Sequence, residues 1–296
     1  MLTHRGVWLA VIASAAFSMK AIFVKLAYQY GVDAVLLLAM RMAFSLPVLL
    51  AAAWWSGRGA ATRISWQDWR AILFLGFVGY YLSSLLDFLG LQYISAGLER
   101  LILFLYPTVV VIISVHLLGK TITRRTIAAM ALSYFGIAIA FIHDIRLTGD
   151  QTTTLIGGGL VFMCMITYAI YLTGSGQMTV RLGATRFAAL ATTVAAISCM
   201  GHFAIQSPLE TAISQPWQVY AYALAMAIVS TILPIFLTAK AIQLIGAARV
   251  SIIGSIGPVA TIFFAWLLLG ESISLDQMVG AAFVLGGVML VSSKKA

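Results

Sequence analysis

Long apolar runs separated by short polar segments make up almost the whole chain. A helix that crosses a bilayer needs about 20 apolar residues, because each residue advances the helix by about 1.5 Å. Runs of that length recur throughout, and the alternating pattern of a membrane β-barrel does not occur. The pattern therefore predicts an all-α integral membrane protein with ten transmembrane helices, at residues 6–29, 34–55, 70–90, 95–118, 124–142, 155–176, 185–206, 217–241, 246–269 and 275–293.

One part of this pattern occurs twice, with an offset of 151 residues. The match covers residues 92–140 without a gap, pairs Pro107 with Pro258, and pairs Lys120 with Glu271 in corresponding loops. Loop charge depends on the side of the membrane that a loop faces. Two copies of five helices each, an odd number, would have opposite orientations. We therefore expect two inverted five-helix repeats, at residues 1–145 and 152–296.

Composition favours lipid as the solvent of this chain. Of its 296 residues, 62% are hydrophobic and only 9% are charged, whereas a soluble domain carries about 25% charged residues. The net charge of +9 does not indicate nucleic-acid binding, because the Lys and Arg residues are scattered between apolar runs and form no patch.

Loop charge also predicts the orientation. With the N-terminus inside, thirteen Lys and Arg residues lie in inner loops or at inner helix ends, and only Arg146 lies in an outer loop. Positive residues concentrate on the cytoplasmic side. We therefore expect a multi-pass protein of the cell inner membrane with both termini in the cytoplasm.

Several short motifs of the second copy resemble the EamA family of the drug/metabolite transporter superfamily. They are Ile245-Gly246-Ala247-Ala248, Gly257-Pro258, Leu269-Gly270-Glu271 and Gly286-Gly287. The resemblance covers essentially the whole chain and implies two inverted repeats around a central cavity, with transport, usually export, of amino acids or other small metabolites. Two positions depart from the family pattern: Lys120 replaces the usual Glu, and Phe17-Ser18 stands where many members have Trp-Gly.

Ionisable residues inside the predicted helices are the first candidates for function. Charge within a membrane is costly, so such residues face the bundle interior or water. Lys20 is predicted near mid-membrane, and the others nearer the outer side. They would form a gate, a site for a carboxylate, or a purely structural network of ion pairs. The predicted gating and charge network consists of Lys25, Arg41, Asp87, Glu99 and Arg100.

Polar side chains near mid-membrane are the candidates for substrate contact. Phenol hydroxyls need partners in apolar surroundings, so they would line a cavity for an amphipathic metabolite or bond to neighbouring helices. Pro107 and Pro258 are predicted to kink their helices, because each removes a helical hydrogen bond. The predicted substrate-binding residues are Lys20, Tyr80, Tyr81, Ser83, Tyr106, Tyr168, Tyr171 and Ser255.

The function expected from these features is export of amino acids and related small metabolites by alternating access. Other small metabolites, sugars and drugs are alternative substrates. A membrane-embedded enzyme is a further alternative, but the chain has no His-x-x-x-His motif or acid-rich metal cluster. Without a Walker A motif we expect no cofactor and no direct use of ATP. The expected partners are a small-molecule substrate and the lipid bilayer, without nucleic acid, and the protein is expected to be a monomer or weak homo-oligomer. Asp87 and Glu99 would carry protons if transport is proton-coupled, whereas facilitated movement needs neither.

Overall fold

A computed structural model of the chain describes residues 2–58, 63–118 and 124–292. Lys120, the charged residue of the first repeated loop, lies outside these residues. The helices are α1 (Leu2–Tyr28), α2 (Ala34–Gly57), α3 (Trp66–Gly90), α4 (Ala96–Leu103), α5 (Tyr106–Leu118), α6 (Arg124–Thr148), α7 (Gln151–Leu182), α8 (Ala184–Gln206), α9 (Trp217–Ile245), α10 (Ala247–Gly254), α11 (Ile256–Leu269) and α12 (Leu275–Ser292), with one extra turn at Glu210–Ile213.

Every regular element in the described ranges is a helix, so the prediction of an all-α chain is confirmed. Eight helical stretches of the described chain are long and apolar enough to cross a membrane. The helices α11 and α12 are also apolar but shorter. The count of ten transmembrane helices therefore stays a prediction.

Polar side chains in the loops determine where several helices begin. The Asp33 carboxylate accepts hydrogen bonds from the Val35 and Leu36 N–H groups at the start of α2. Ser65 and Asp68 form a reciprocal capping box at the start of α3. Such caps satisfy N–H groups that have no acceptor within the first helical turn. These loop residues therefore define the first residue of each helix, which the apolar runs alone predict only approximately.

Two of the predicted transmembrane helices are interrupted near their prolines. One helix is broken at Phe104 and Leu105, between α4 and α5, and the other at Ser255, between α10 and α11. In each case the proline, Pro107 or Pro258, lies in the first turn of the helix that follows. A missing N–H group costs little there, because first-turn N–H groups have no helical acceptor. The predicted kinks are therefore breaks that lie just before the prolines.

Three other irregularities are π-helical turns within α3, α9 and α11. They span Gly76–Leu82, Met226–Ile232 and Ala265–Leu269. A π turn inserts one extra residue and leaves part of the backbone free for side-chain contacts, which is why such turns are frequent at functional sites. Like the helix breaks, the π turns of α3 and α9 are separated by about half of the chain, whereas the turn in α11 has no counterpart in the described residues of α5.

The core lies between helices from the two halves of the chain. The helix pairs with extensive contact are α6 with α12, α2 with α8, α1 with α9, and α3 with α7. Small residues allow the closest of these approaches. A Cβ on Gly280 would lie 2.6 Å from the Gly136 carbonyl oxygen, and a Cβ on Gly136 would lie 2.5 Å from the Gly280 carbonyl oxygen. Close packing through small residues stabilises helix pairs in lipid.

We expect Gly280→Val to lower the midpoint of thermal unfolding, because the new side chain forces α6 and α12 apart. Overpacking of this kind costs about 1–3 kcal/mol. The matched control is Gly201→Val in α8, where nothing lies within 4 Å of the added Cβ. Tryptophan fluorescence during heating of the purified proteins in detergent compares the two. Equal midpoints would show that the α6–α12 contact tolerates separation.

Candidate functional site

Three buried charges from three helices meet in the interior. Lys20 Nζ of α1 lies 2.6 Å from Asp87 Oδ2 of α3 and 3.2 Å from Glu99 Oε1 of α4. Their side chains are 8%, 2% and 0% exposed. Asp87 Oδ1 and Glu99 Oε2 have no hydrogen-bond donor among the described residues. The lysine therefore neutralises part of the charge of two carboxylates that also interact with each other, and two of their buried oxygens accept no hydrogen bond from the described N–H and O–H groups. We call these three residues the charge trio.

Two buried arginines lie beside the trio. The Arg100 guanidinium, next to Glu99 on α4, lies 4.8 Å from the centre of the Phe17 ring, and its Nε has no acceptor among the described side chains and backbone. Arg41 Nε of α2 donates to Thr231 Oγ1 of α9 (3.0 Å). Its Nη1 is likewise without an acceptor in the described part of the chain. Guanidinium groups stack on aromatic rings and bind carboxylates with two N–H groups.

The charges of this cluster do not balance among the described residues. The three cations are Lys20, Arg41 and Arg100, the two anions are Asp87 and Glu99, and all five are buried. A buried charge without a partner is unfavourable, so the cluster is complementary to a ligand that brings a negative charge. The arginine N–H groups and the carboxylate oxygens that lack partners could together bind a ligand that carries one negative and one positive group.

Four tyrosines form an aromatic cluster next to these charges. The ring centres of Tyr80 and Tyr171 are 4.8 Å apart, those of Tyr106 and Tyr168 are 5.5 Å apart, and those of Tyr168 and Tyr171 are 6.2 Å apart. The four residues come from α3, α5 and α7. Arg100 interacts electrostatically with the Tyr106 and Tyr168 hydroxyls. The tyrosine cluster therefore adjoins the positive end of the charged cluster.

Two other predicted substrate residues lie apart from the tyrosine cluster. The Tyr81 hydroxyl is 2.9 Å from His202 Nδ1 on α8, although Tyr81 neighbours Tyr80 in sequence. Ser255 is buried at the break between α10 and α11. Ser83, by contrast, remains near the site, with its Oγ 3.3 Å from Cys164 Sγ on α7. Of the predicted substrate-binding residues, some therefore lie together in the structure and others lie apart.

Lys25, predicted to belong to the charge network, lies elsewhere. It is one of the residues around an open cavity of about 340 Å³ at the end of α1. It makes no ion pair with the described carboxylates, in contrast to Lys20. The lining residues of this cavity, which we call the Lys25 cavity, are Lys25, Tyr28, Gln29, Leu269 and Glu271.

The structure also identifies contributors that the sequence analysis did not select. Phe17 lies against Arg100, and Ser18 Oγ donates to the Gly257 carbonyl oxygen across α1 and α11 (3.0 Å). A Cβ on Gly257 would lie only 3.1 Å from Arg100 Nη2, so glycine leaves room for the guanidinium. One available signal was the departure from the family pattern at Phe17-Ser18. Within the described residues, no group of three or more His, Cys, Asp or Glu side chains could hold a metal ion.

The chain matches the EamA-like transporter family over residues 4–142 and 155–293. It is 31% identical to the uncharacterized transporter YcbK of Bacillus subtilis (strain 168), over 97% of this chain and 91% of that protein. It is 23% identical to the S-adenosylmethionine/S-adenosylhomocysteine transporter of Chlamydia trachomatis serovar L2, over 74% of this chain and 69% of that protein. One solved crystal structure has the same fold, with a TM-score of 0.65 at 18% identity, over 97% of this chain and 96% of that chain.

Proposed function

Since this chain belongs to the EamA-like transporter family and is a multi-pass membrane transporter, we propose that it exports amino acids and related small metabolites by alternating access. The observation that supports this substrate class is the buried cluster of three cations and two anions, with open hydrogen-bonding atoms of both signs. A zwitterion supplies both missing partners.

In the proposed complex, the substrate carboxylate accepts a hydrogen bond from Arg100 Nε. The substrate ammonium donates to the open oxygens of Asp87 and Glu99. The carboxylate then compensates the excess positive charge, and the ammonium satisfies acceptors that Lys20 leaves open. Charge-assisted hydrogen bonds of this kind contribute about 1.5–3 kcal/mol each.

The tyrosine cluster would receive the rest of the substrate. Tyrosines present an apolar ring together with a hydroxyl, so they suit side chains that are aromatic or amphipathic. S-adenosylmethionine itself combines an amino-acid head group with an aromatic base. The relative named for transport of that compound therefore supports including it, beside the common amino acids, among the candidate substrates.

The proposed transport cycle requires two halves that move against each other. We propose ten transmembrane helices in two inverted repeats, at residues 1–145 and 152–296. The repeated π turns and helix breaks support this arrangement, as does the pairing of helices across the two halves. Rocking of the halves would open the buried site to one side at a time.

In the proposed orientation, the protein lies in the cell inner membrane and both of its termini are in the cytoplasm. Two ion pairs join groups that this orientation places on the same side of the membrane. Arg181 Nε lies 2.9 Å from Asp68 Oδ1, between groups assigned to the inner side. Arg146 Nη1 lies 3.3 Å from Asp276 Oδ2, between groups assigned to the outer side.

Uptake into proteoliposomes tests the substrate class. We expect vesicles containing the purified protein to accumulate at least one labelled amino acid, or S-adenosylmethionine, above vesicles without it. Sugars and organic cations form the comparison arms. Transport of those compounds without transport of any amino acid or S-adenosylmethionine would replace the proposed substrate class with one of the alternatives.

Repeating the uptake with an imposed pH gradient tests the coupling. If Asp87 or Glu99 carries the proton, the gradient changes the uptake rate of the wild type, and this change is lost in the corresponding single variant, Asp87→Asn or Glu99→Gln, in which the other carboxylate still binds the substrate ammonium. Lys240→Gln, at an exposed position of α9, is the control. A wild type that is insensitive to the gradient would exclude proton coupling and leave facilitated movement.

A further inference from the structure

The Lys25 cavity is separate from the central cluster and holds opposite charges on its walls. Lys25 is five residues beyond Lys20 on α1, a distance of about 7.5 Å along the helix axis. Glu271 is contributed by the loop between α11 and α12, so the cavity lies between the two halves of the chain. Gln29 adds an exposed amide to its rim.

The two charges attract each other across the cavity without closing it. Lys25 is drawn electrostatically to Glu271, but no ion pair or hydrogen bond joins them or binds Lys25 to any other described residue. A lysine and a glutamate on the walls of one cavity can each bind a different charged group of one ligand.

The Glu271 carboxylate keeps one oxygen without a hydrogen bond from the described part of the chain. Its Oε1 accepts a hydrogen bond from the Ala96 N–H at the start of α4 (3.1 Å), and the Gly97 N–H also interacts with the carboxylate. Its Oε2 is buried without a donor among the described residues. Burial raises the pKa of Glu271 above the usual value for a glutamate, while the Ala96 hydrogen bond opposes that rise. A cationic ligand group at Oε2 would supply the missing donor and favour the ionised form.

We infer that the Lys25 cavity is a second binding site for the zwitterionic head group of an α-amino acid. The ligand ammonium donates to the Glu271 carboxylate at the cavity wall, and the ligand carboxylate accepts from Lys25 Nζ. The Tyr28 ring forms the wall, because its hydroxyl is already used in a hydrogen bond to the Phe88 carbonyl oxygen (2.6 Å). This inference rests on the proposed function, since it places a second binding site for the same class of substrate beside the central cluster.

The site also has a direct connection to the central cluster. The same Glu271 side chain that would bind the ammonium holds the first turn of α4, and α4 carries Glu99 and Arg100. The Lys25 cavity and the central cluster are therefore both in contact with α4.

Protection of an introduced cysteine tests the second site without requiring transport. Gln29→Cys places a thiol at the exposed rim, and the two natural cysteines, Cys164 and Cys199, are buried. The full-length protein in nanodiscs is labelled with a hydrophilic maleimide, with and without glycine, which consists of the head group alone. We expect glycine at about ten times its Kd to slow the labelling about tenfold, because only the empty cavity reacts. Glycinamide and acetate, which each lack one charge of the zwitterion, should not protect.

Variants separate this site from the central one. We expect Lys25→Gln and Glu271→Gln each to abolish the protection by glycine, and Arg100→Gln to leave it unchanged. Ser214→Cys, exposed in a loop away from the cavity, should label at the same rate with and without glycine. Equal labelling of the Gln29→Cys variant with and without glycine would overturn the inference, and so would loss of protection in Arg100→Gln. Protection without any amino-acid transport would instead overturn the proposed function alone.

Discussion

Replacement of Lys20 by methionine is expected to destabilise the protein strongly and to abolish transport. Lys20 is the only ion-pair partner of Asp87 and of Glu99 among the described residues. Removal of one partner of a buried ion pair costs about 3–5 kcal/mol, because the other charge stays buried without compensation. Here two carboxylates would remain close together, and like charges further disfavour the ionised forms.

Thermal unfolding in detergent and uptake into proteoliposomes measure the two effects. The matched control, Lys240→Met, removes an exposed lysine from α9 and should leave both unchanged. The triple variant Lys20→Met, Asp87→Asn, Glu99→Gln removes all three charges of the trio. We expect it to recover most of the stability but not the transport, because the neutral side chains no longer bind an ammonium as carboxylates do. A wild-type unfolding midpoint for Lys20→Met alone would show that the trio contributes nothing to stability.

Arg100→Gln should have the opposite profile, with a large loss of transport and a small change in stability. Arg100 Nε has no acceptor among the described residues, so its removal breaks no hydrogen bond at that atom, and the folded protein loses the contact of the guanidinium with the Phe17 ring. In the proposed complex the substrate carboxylate binds there. Loss of an ionic hydrogen bond worth about 1.5–3 kcal/mol reduces transport efficiency by about 10-fold to 150-fold.

Initial rates of uptake over a range of substrate concentrations give kcat/KM for the wild type and for Arg100→Gln. Arg249→Gln, at an exposed position of α10, is the matched control. Arg100→Lys keeps the positive charge but not the planar arrangement of N–H groups, so we expect it to restore only part of the activity. Unchanged kcat/KM in Arg100→Gln would place the substrate carboxylate elsewhere.

Much of the helical architecture could be predicted from local properties of the sequence. The length of the apolar runs indicates helices, and residues such as Asp33 and Ser65 mark their starts through hydrogen bonds to nearby N–H groups. Pro107 and Pro258 likewise mark two interruptions. These features depend on residues within one or two helical turns, so the sequence contains the required information.

The sequence could predict which charged residues are buried at the candidate site, but not which of them form ion pairs with each other. Burial of Lys20, Arg41, Asp87, Glu99 and Arg100 follows from the cost of exposing charge to lipid. Which cation meets which anion does not follow, because Lys20 and Glu99 are 79 residues apart and meet only after α1, α3 and α4 have packed. Lys25, which is equally charged and only five residues away, faces a different cavity.

The sequence by itself determined that this is a helical membrane protein of the EamA-like transporter family, because apolar length and family motifs are properties of consecutive residues. Only the tertiary structure decided the arrangement of the charge trio, the open N–H group of Arg100 and the separation of Tyr80 from Tyr81. The side chains of those two neighbouring tyrosines leave α3 within its π turn, one towards Tyr171 and the other towards His202. Their partners are set by helix packing across the two halves of the chain, which no local pattern specifies.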